Sequence, residues 1–323
     1  MSVTLPITPK ENLRRFINGN ALWMPQYKDN KVFSPRIYKE NVCRGFVMEG
    51  IPYTGDFGGK DMFGIEWEYV PLVGGSMVRP GNPKVPDITE WEKFIEWPDL
   101  SKLDWEGSSA ESQDFFKTDN VLMMMVFTSF FERLISMVDM EDALVAMIDP
   151  DEKNAVHRLF ERLTDYYDEL FDYFERYYHP DLIYFHDDWG SQRAPLFSLE
   201  TVREMLVPYM KQVVESAHRH GMVFELHSCG KIESLVPAMI EIGADMWCGQ
   251  PMNDKLKLAR EYGKDIHIGV CPTDFPEDVP SEVLIEEADR LLDTFPDSIY
   301  IGRHMNQNPC FYERIVERTM KEN

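Results

Sequence analysis

DLIYFHDDWGSQRAPLFSLETVREMLVPYMKQVVESAHRHGMVFELHSCG, residues 181–230, holds one strand, one helix and a second strand in unbroken succession. The two apolar runs, 181–188 and 222–230, have the length and the aromatic and branched content of strands. Between them the apolar residues recur at helical spacing. Ser198 is placed to cap the helix start and Gly221 to end it. A helix between two strands predicts parallel neighbours and a right-handed crossover.

The same rhythm continues in both directions. Downstream, KIESLVPAMIEIG is a helix, ADMWCG (244–249) a strand and NDKLKLAREYG a helix. DIHIGVC (265–271) is a strand, a helix follows near 281–295, SIYIGRH (298–304) is a strand, and FYERIVERTMKEN closes the chain as a helix. Upstream, VLMMMVF (121–127) reads as a buried strand followed by a long amphipathic helix over roughly 150–178. ALWMPQY and NVCRGFVME are candidates for two more strands, and eight would close a (β/α)8 barrel. An open doubly wound sheet is the rival, but no Gly-rich phosphate fingerprint follows any strand. The expectation is an α/β TIM barrel forming one structural domain. Residues 1–118 supply an irregular, Gly-, Pro- and Trp-rich N-terminal cap with the first barrel elements, and 119–323 the remainder. Within the cap, ITEWEKFIEWPDL reads as a short helix stopped by Pro98.

Composition narrows the function classes. With 33 Lys and Arg against 56 Asp and Glu, the net charge is −23. Such a surface repels nucleic-acid backbones and anionic lipid, so no nucleic-acid or membrane partner is expected. Five Cys and an N-terminus without an apolar core imply no disulfide framework and a reducing cytoplasm, where thiols stay free for metal.

Strand alternation then sorts the polar residues. In VFELHSC, Phe224 and Leu226 face one way, while Glu225, His227 and Cys229 form a column facing the barrel interior. In DIHIGVC, His267, Gly269 and Cys271 point inward. In SIYIGRH, Tyr300, Gly302 and His304 do. His227 and Cys229 share a face at a strand tip, where barrel enzymes keep their chemistry, and a thiolate with an imidazole favours zinc. Cys271 and Cys310 follow other strand tips. Read singly, Cys43, Cys248 and His267 are ordinary buried residues. Asp187 and Asp188 end the strand DLIYFHDD, and at most one of them enters the cavity unless the chain turns there; the pair reads either as a cap on the following turn or as a carboxylate at the barrel mouth that holds a donor group or a substrate hydroxyl.

The string His-x-Cys-Gly at 227–230, followed by a helix and Gly-Ala-Asp at 243–245, resembles the uroporphyrinogen decarboxylase superfamily, in its branch of corrinoid-dependent methyltransferases. GGKDMFGIEWEYVPLVGGSMVRPGNP is similar to the O-demethylase methyltransferases of the veratrol or vanillate type. The resemblance implies a zinc-binding barrel that moves a methyl group from a small methylated substrate, an aryl methyl ether, to the cobalt of a corrinoid (cobalamin) carried by a partner protein. It implies His227, Cys229 and Cys310 as zinc ligands, with Cys271 competing for the third place. Asp187 and Glu225 become candidates for the catalytic acid. Asp188, His304, Trp67 and Phe63 become candidates for binding the substrate, the two aromatics together with Trp23 and Phe57 as a wall. A homodimer stays open. The alternative, tetrapyrrole decarboxylation, needs an Arg cluster that NALWMPQYKDNKVFSP does not carry.

Overall fold

The computed structural model describes residues 4–40, 47–48, 51–52, 58–70, 75–303 and 306–321. Seven parallel strands form one curled sheet: β1 (Asn30–Phe33), β2 (Val121–Val126), β3 (Leu182–His186), β4 (Val223–Ser228), β5 (Met246–Gly249), β6 (His267–Val270) and β7 (Ile299–Ile301). They pair in chain order, so each crossover returns to the neighbouring strand, as in a TIM barrel. The sheet's two edges meet through residue Gln26, which bridges Ile301 in parallel, and the Ile301 N–H donates to Pro25 at 2.9 Å.

All six strands read from 121 onward are present. The two proposed upstream strands need correction. ALWMPQY contributes only the Gln26 bridge, and most of NVCRGFVME lies outside the described residues. Val47 and Met48 pair with Pro52 and Ile51 in a short hairpin instead. The first strand of the sheet is Asn30–Phe33, four residues with only Phe33 fully buried, too short to carry a periodic signal.

Two apolar clusters follow the alternation of the strands. Leu122, Met124, Ile183, Phe185, Phe224, Leu226, Ile268, Val270, Ile299 and Ile301 pack under the helices. Val121, Met123, Leu182, Val223, Met246, Cys248 and Tyr300 fill the barrel interior. Helix α1 (Pro9–Ile17) adds Leu13 and Phe16 to the interior cluster and so plugs it; the Phe16 ring lies 4.0 Å from that of His267.

The helices that bear on the site and the barrel wall are α2 (Phe130–Val138), α3 (Lys153–Tyr178), α4 (Leu199–Met205), α5 (Val207–Arg219), α6 (Val236–Glu241), α7 (Lys255–Tyr262), α8 (Ser281–Thr294) and α9 (Pro309–Thr319); shorter helices lie at Trp105–Glu111, Gln113–Phe116 and Met140–Ala146. Ser198 caps α4 by accepting from the Thr201 N–H. The helix expected from 198 to 220 divides at Leu206, because Pro208 has no N–H to continue the first ladder and instead begins a new helix. ITEWEKFIEWPDL forms only 3₁₀ turns over Ile88–Lys93.

The cap carries a three-stranded antiparallel sheet from Gly59–Lys60, Glu66–Val70 and Gly75–Val78. Asp61 ties it to the barrel. Its carboxylate accepts from the Phe63 and Ile65 N–H groups and the Trp67 indole, each at 2.9 Å, and from Arg133 of α2 at 2.7 Å. Arg133 also donates to the Glu40 carbonyl and lies 4.1 Å from the Phe63 ring. Both charges are fully buried, a cost these partners offset, although Arg133 Nε is left without a hydrogen bond. Among the described residues no helix is long and apolar enough to cross a membrane.

Candidate metal centre

The strand register places His186, the last residue of β3, opposite His227 of β4. Their rings stack at 4.9 Å between centroids and 13° between planes. Two residues further along the chain, just past the two strand ends, stand Asp188 and Cys229. Donor atoms of His186, Asp188, His227 and Cys229 all lie within 4.8 Å of one another. His227 Nε2 is 3.6 Å from Cys229 Sγ, His186 Nε2 is 3.5 Å from Asp188 Oδ1, and the Cys229 N–H donates to Asp188 Oδ1 at 2.6 Å. The two loops that carry Asp188 and Cys229 onward touch at Gly190 and Gly230. Gly230 has φ +94°, and a Cβ on it would lie 2.3 Å from the Gly190 backbone, so only glycine permits this approach.

A carboxylate stands behind the cluster. Glu132 on α2 accepts from His186 Nδ1 at 2.9 Å, which turns His186 Nε2 toward the other donors. Burial opposes a charged His186 ring, but the neighbouring Glu132 outweighs it, helped by Cys229 and Asp188, and the His186 pKa stands well above the usual imidazole value. Burial pushes Glu132 up to about 8 against the pull of His186, and it also pushes the Cys229 thiol up. Burial thus favours the neutral forms of Glu132 and Cys229, while Glu132 favours the charged form of His186.

The donor set fits zinc. One thiol, two imidazoles and a carboxylate are its preferred ligand types, and three of them suffice for an ion that keeps a position for substrate. His227 Nδ1 is moreover buried with no hydrogen-bond partner, so the ring keeps a nitrogen free for a metal contact.

Other expected site residues lie elsewhere. Cys310 is the second residue of α9, in the helix layer outside the barrel, with its Sγ 3.6 Å from the Ser281 carbonyl; the structure does not bring it to His227 and Cys229. The chain turns into α9 at Asn308, whose side chain caps Cys310, and this carries the thiol away from the mouth. Cys271 pairs with Cys248 at 3.9 Å and is not among the four donors. Asp187 points away from the cavity. It is fully buried and accepts from the Phe131 and Glu132 N–H groups at 3.2 and 3.0 Å and from the Trp189 indole at 2.8 Å. That is the turn-cap role, not a free acid at the mouth. Glu225 lies deeper, accepting from the Tyr300 hydroxyl at 2.7 Å, with burial raising its pKa to about 8. Phe63 and Trp67 are buried in the cap core against Arg133 and Asp61, so they form no open wall. Trp23 packs with Leu22 and Val316. His304 and Phe57 lie outside the described residues.

His186 and Glu132 were missed as site residues. The signal for His186 was present, since period two puts it on the face of Asp188. Glu132 had none, being 54 positions from its partner.

The sequence model of uroporphyrinogen decarboxylase (URO-D) matches residues 76–301, most of the chain. No curated protein matches the sequence. Among solved structures, a methyltransferase from Methanosarcina mazei superposes with a TM-score of 0.64 at 14% identity, covering 97% of this chain and 98% of that one. An endo-β-1,4-xylanase from Gloeophyllum trabeum gives a TM-score of 0.39 at 10% identity over 69% of this chain and 82% of that one, too distant to bear on function.

Proposed function

The chain belongs to the uroporphyrinogen decarboxylase family, and from that premise we propose that it is a zinc-dependent methyltransferase, moving a methyl group from an aryl methyl ether to the cobalt of a corrinoid on a partner protein. The observation that carries this reading is the group His186, Asp188, His227 and Cys229 at the C-terminal strand ends. A decarboxylase of a polycarboxylate would instead need cationic side chains there, and the chain as a whole carries a charge of −23. The likeness in fold to the Methanosarcina methyltransferase supports the same class.

In this reading His227 and Cys229 hold the zinc, with His186 or Asp188 completing the set. Zinc so bound supplies Lewis acidity toward the ether oxygen as it leaves. The chain's own residues orient and shield. Glu132 fixes the His186 ring, and the Cys229 N–H fixes Asp188. Whichever of Asp188 and His186 does not hold the zinc would be the group able to hand a proton to the leaving oxygen, because Asp187 and Glu225 are occupied by structural donors.

Two measurements test this. Purified protein should hold about one zinc per chain. Occupancy should fall in His227→Ala and Cys229→Ala and stay unchanged in Cys310→Ala. With a reduced corrinoid protein and a methoxylated aromatic, a phenol and methylated corrinoid should appear, while uroporphyrinogen stays intact. Robust coproporphyrinogen formation without demethylation of any donor would overturn the assignment.

A further inference from the structure

A second pair of sulfur atoms lies on the strand beside the four donors, Cys248 standing opposite His227 in the register of β4 and β5. Cys248 of β5 faces the barrel interior and is buried; Cys271 stands one residue past the end of β6 and is half-buried. Their sulfurs are 3.9 Å apart. Gly302, just after β7, leaves room for them, since a Cβ there would sit 3.0 Å from both sulfurs. Lys255, the first residue of α7, completes the group. It is 8% exposed, its Nζ has no hydrogen-bond partner, and it lies 3.7 Å from the Trp247 ring centroid.

A buried ammonium without a partner is costly unless an anion stands near it. Burial lowers the Lys255 pKa to about 8, and Cys248, Cys271 and Glu225 oppose that shift. Glu225 is already engaged by Tyr300, which leaves the sulfurs. An ammonium in this position disfavours a second metal cation and favours a thiolate. Cys271 is the better placed of the two, because it is half-buried while Cys248 is fully enclosed, so that of the two it is the sulfur a hydroperoxide can reach. The contact from Cys248 lowers the Cys271 pKa to about 7, against burial and with help from Lys255.

We propose that Cys248 and Cys271 form an oxidisable thiol pair, in which Cys271 reacts with a hydroperoxide and Cys248 closes a disulfide. The Cys271 thiolate attacks the terminal peroxide oxygen. The O–O bond breaks, and the departing oxyanion takes a proton to leave as an alcohol or water. The Cys248 sulfur then attacks the sulfenic sulfur of Cys271. The S–O bond breaks, and the hydroxide leaves as water with the Cys248 proton. Two electrons pass from the sulfurs to the peroxide. The sulfurs must close from 3.9 Å to about 2 Å, and Cys271, beyond the last paired residue of β6, is the end that moves.

The test treats the purified protein with one equivalent of hydrogen peroxide, blocks free thiols and maps an unreduced digest by mass spectrometry. The expected product joins the Cys248 and Cys271 peptides with the loss of two hydrogens. In Cys248→Ser, Cys271 should accumulate as a sulfenic acid that dimedone traps. In Cys271→Ser, Cys248 should stay reduced. Lys255→Met should slow formation of the cross-link by about tenfold, as expected from a less stabilised thiolate. Should either Cys variant fail to fold, the wild-type map and the Lys255→Met rate decide. A pair that stays reduced while Cys229 or Cys310 consumes the peroxide overturns the proposal. So does a cross-linking rate unaltered in Lys255→Met.

Discussion

At the scale of single residues, Glu132 is the side chain on which the candidate metal centre most depends without belonging to it. Its carboxylate reaches His186 Nδ1 at 2.9 Å and so determines which nitrogen of the ring faces Asp188. Outer partners of this kind commonly contribute ten- to a hundredfold in metal affinity. Glu132→Gln keeps the length and one acceptor but removes the charge. Zinc affinity measured by competition with a chelator should fall by about tenfold or more, with the melting temperature nearly unchanged. An affinity equal to wild type would remove Glu132 from the site. His186 was legible in FHDD by period two, yet the adjacent carboxylates Asp187 and Asp188 are the more conspicuous acid–base candidates in that string. The structure divides their roles, sending Asp188 into the donor group and Asp187 to the helix behind it.

At the scale of elements, α2 joins three parts of the molecule. Its first turn is capped by Asp187, Glu132 reaches the candidate metal centre, and Arg133 reaches Asp61 in the cap. Neighbouring residues on one helix point in different directions, so a single element can hold cap and barrel mouth in register. Asp187→Asn leaves at least one of three buried donors without an acceptor. Stability to urea should drop by roughly 1–2 kcal/mol while zinc content is retained. Full stability together with a hundredfold loss of turnover would instead make Asp187 a catalytic acid.

At the scale of the whole molecule, the barrel closes through a segment with almost no strand in it. Gln26 bridges Ile301, the turn Tyr27–Asp29 follows, and β1 begins at Asn30. Asp29 clasps this segment to α9, accepting from the Tyr312 hydroxyl at 2.6 Å and from the Gln26 N–H at 2.9 Å. Burial raises its pKa to about 6, against those two bonds. A carboxyl raised in the folded state stabilises fully below its unfolded value of 3.8, and that contribution is lost as pH rises through about 6. Wild type should therefore lose up to about 3 kcal/mol relative to Asp29→Asn between pH 4 and 7, with the variant's slope flatter. Parallel pH profiles of unfolding for the two proteins would refute this coupling.

The sequence by itself determined the parallel α/β architecture from residue 121 onward, and with it the inward column of Glu225, His227 and Cys229. Both follow from local periodicity, which a strand or helix of ordinary length repeats often enough to be read. It determined also that the chain repels polyanions, because net charge is a sum over residues and needs no fold. Tertiary structure alone decided the rest. It joined His186 to His227 across a strand register, brought Glu132 from a separate helix, left Cys310 in the outer layer and closed the sheet through one bridge at Gln26. Each of these is a contact between segments far apart in the chain. No repeating local pattern encodes such a contact; it is set by how strands pair and where a helix comes to rest on them.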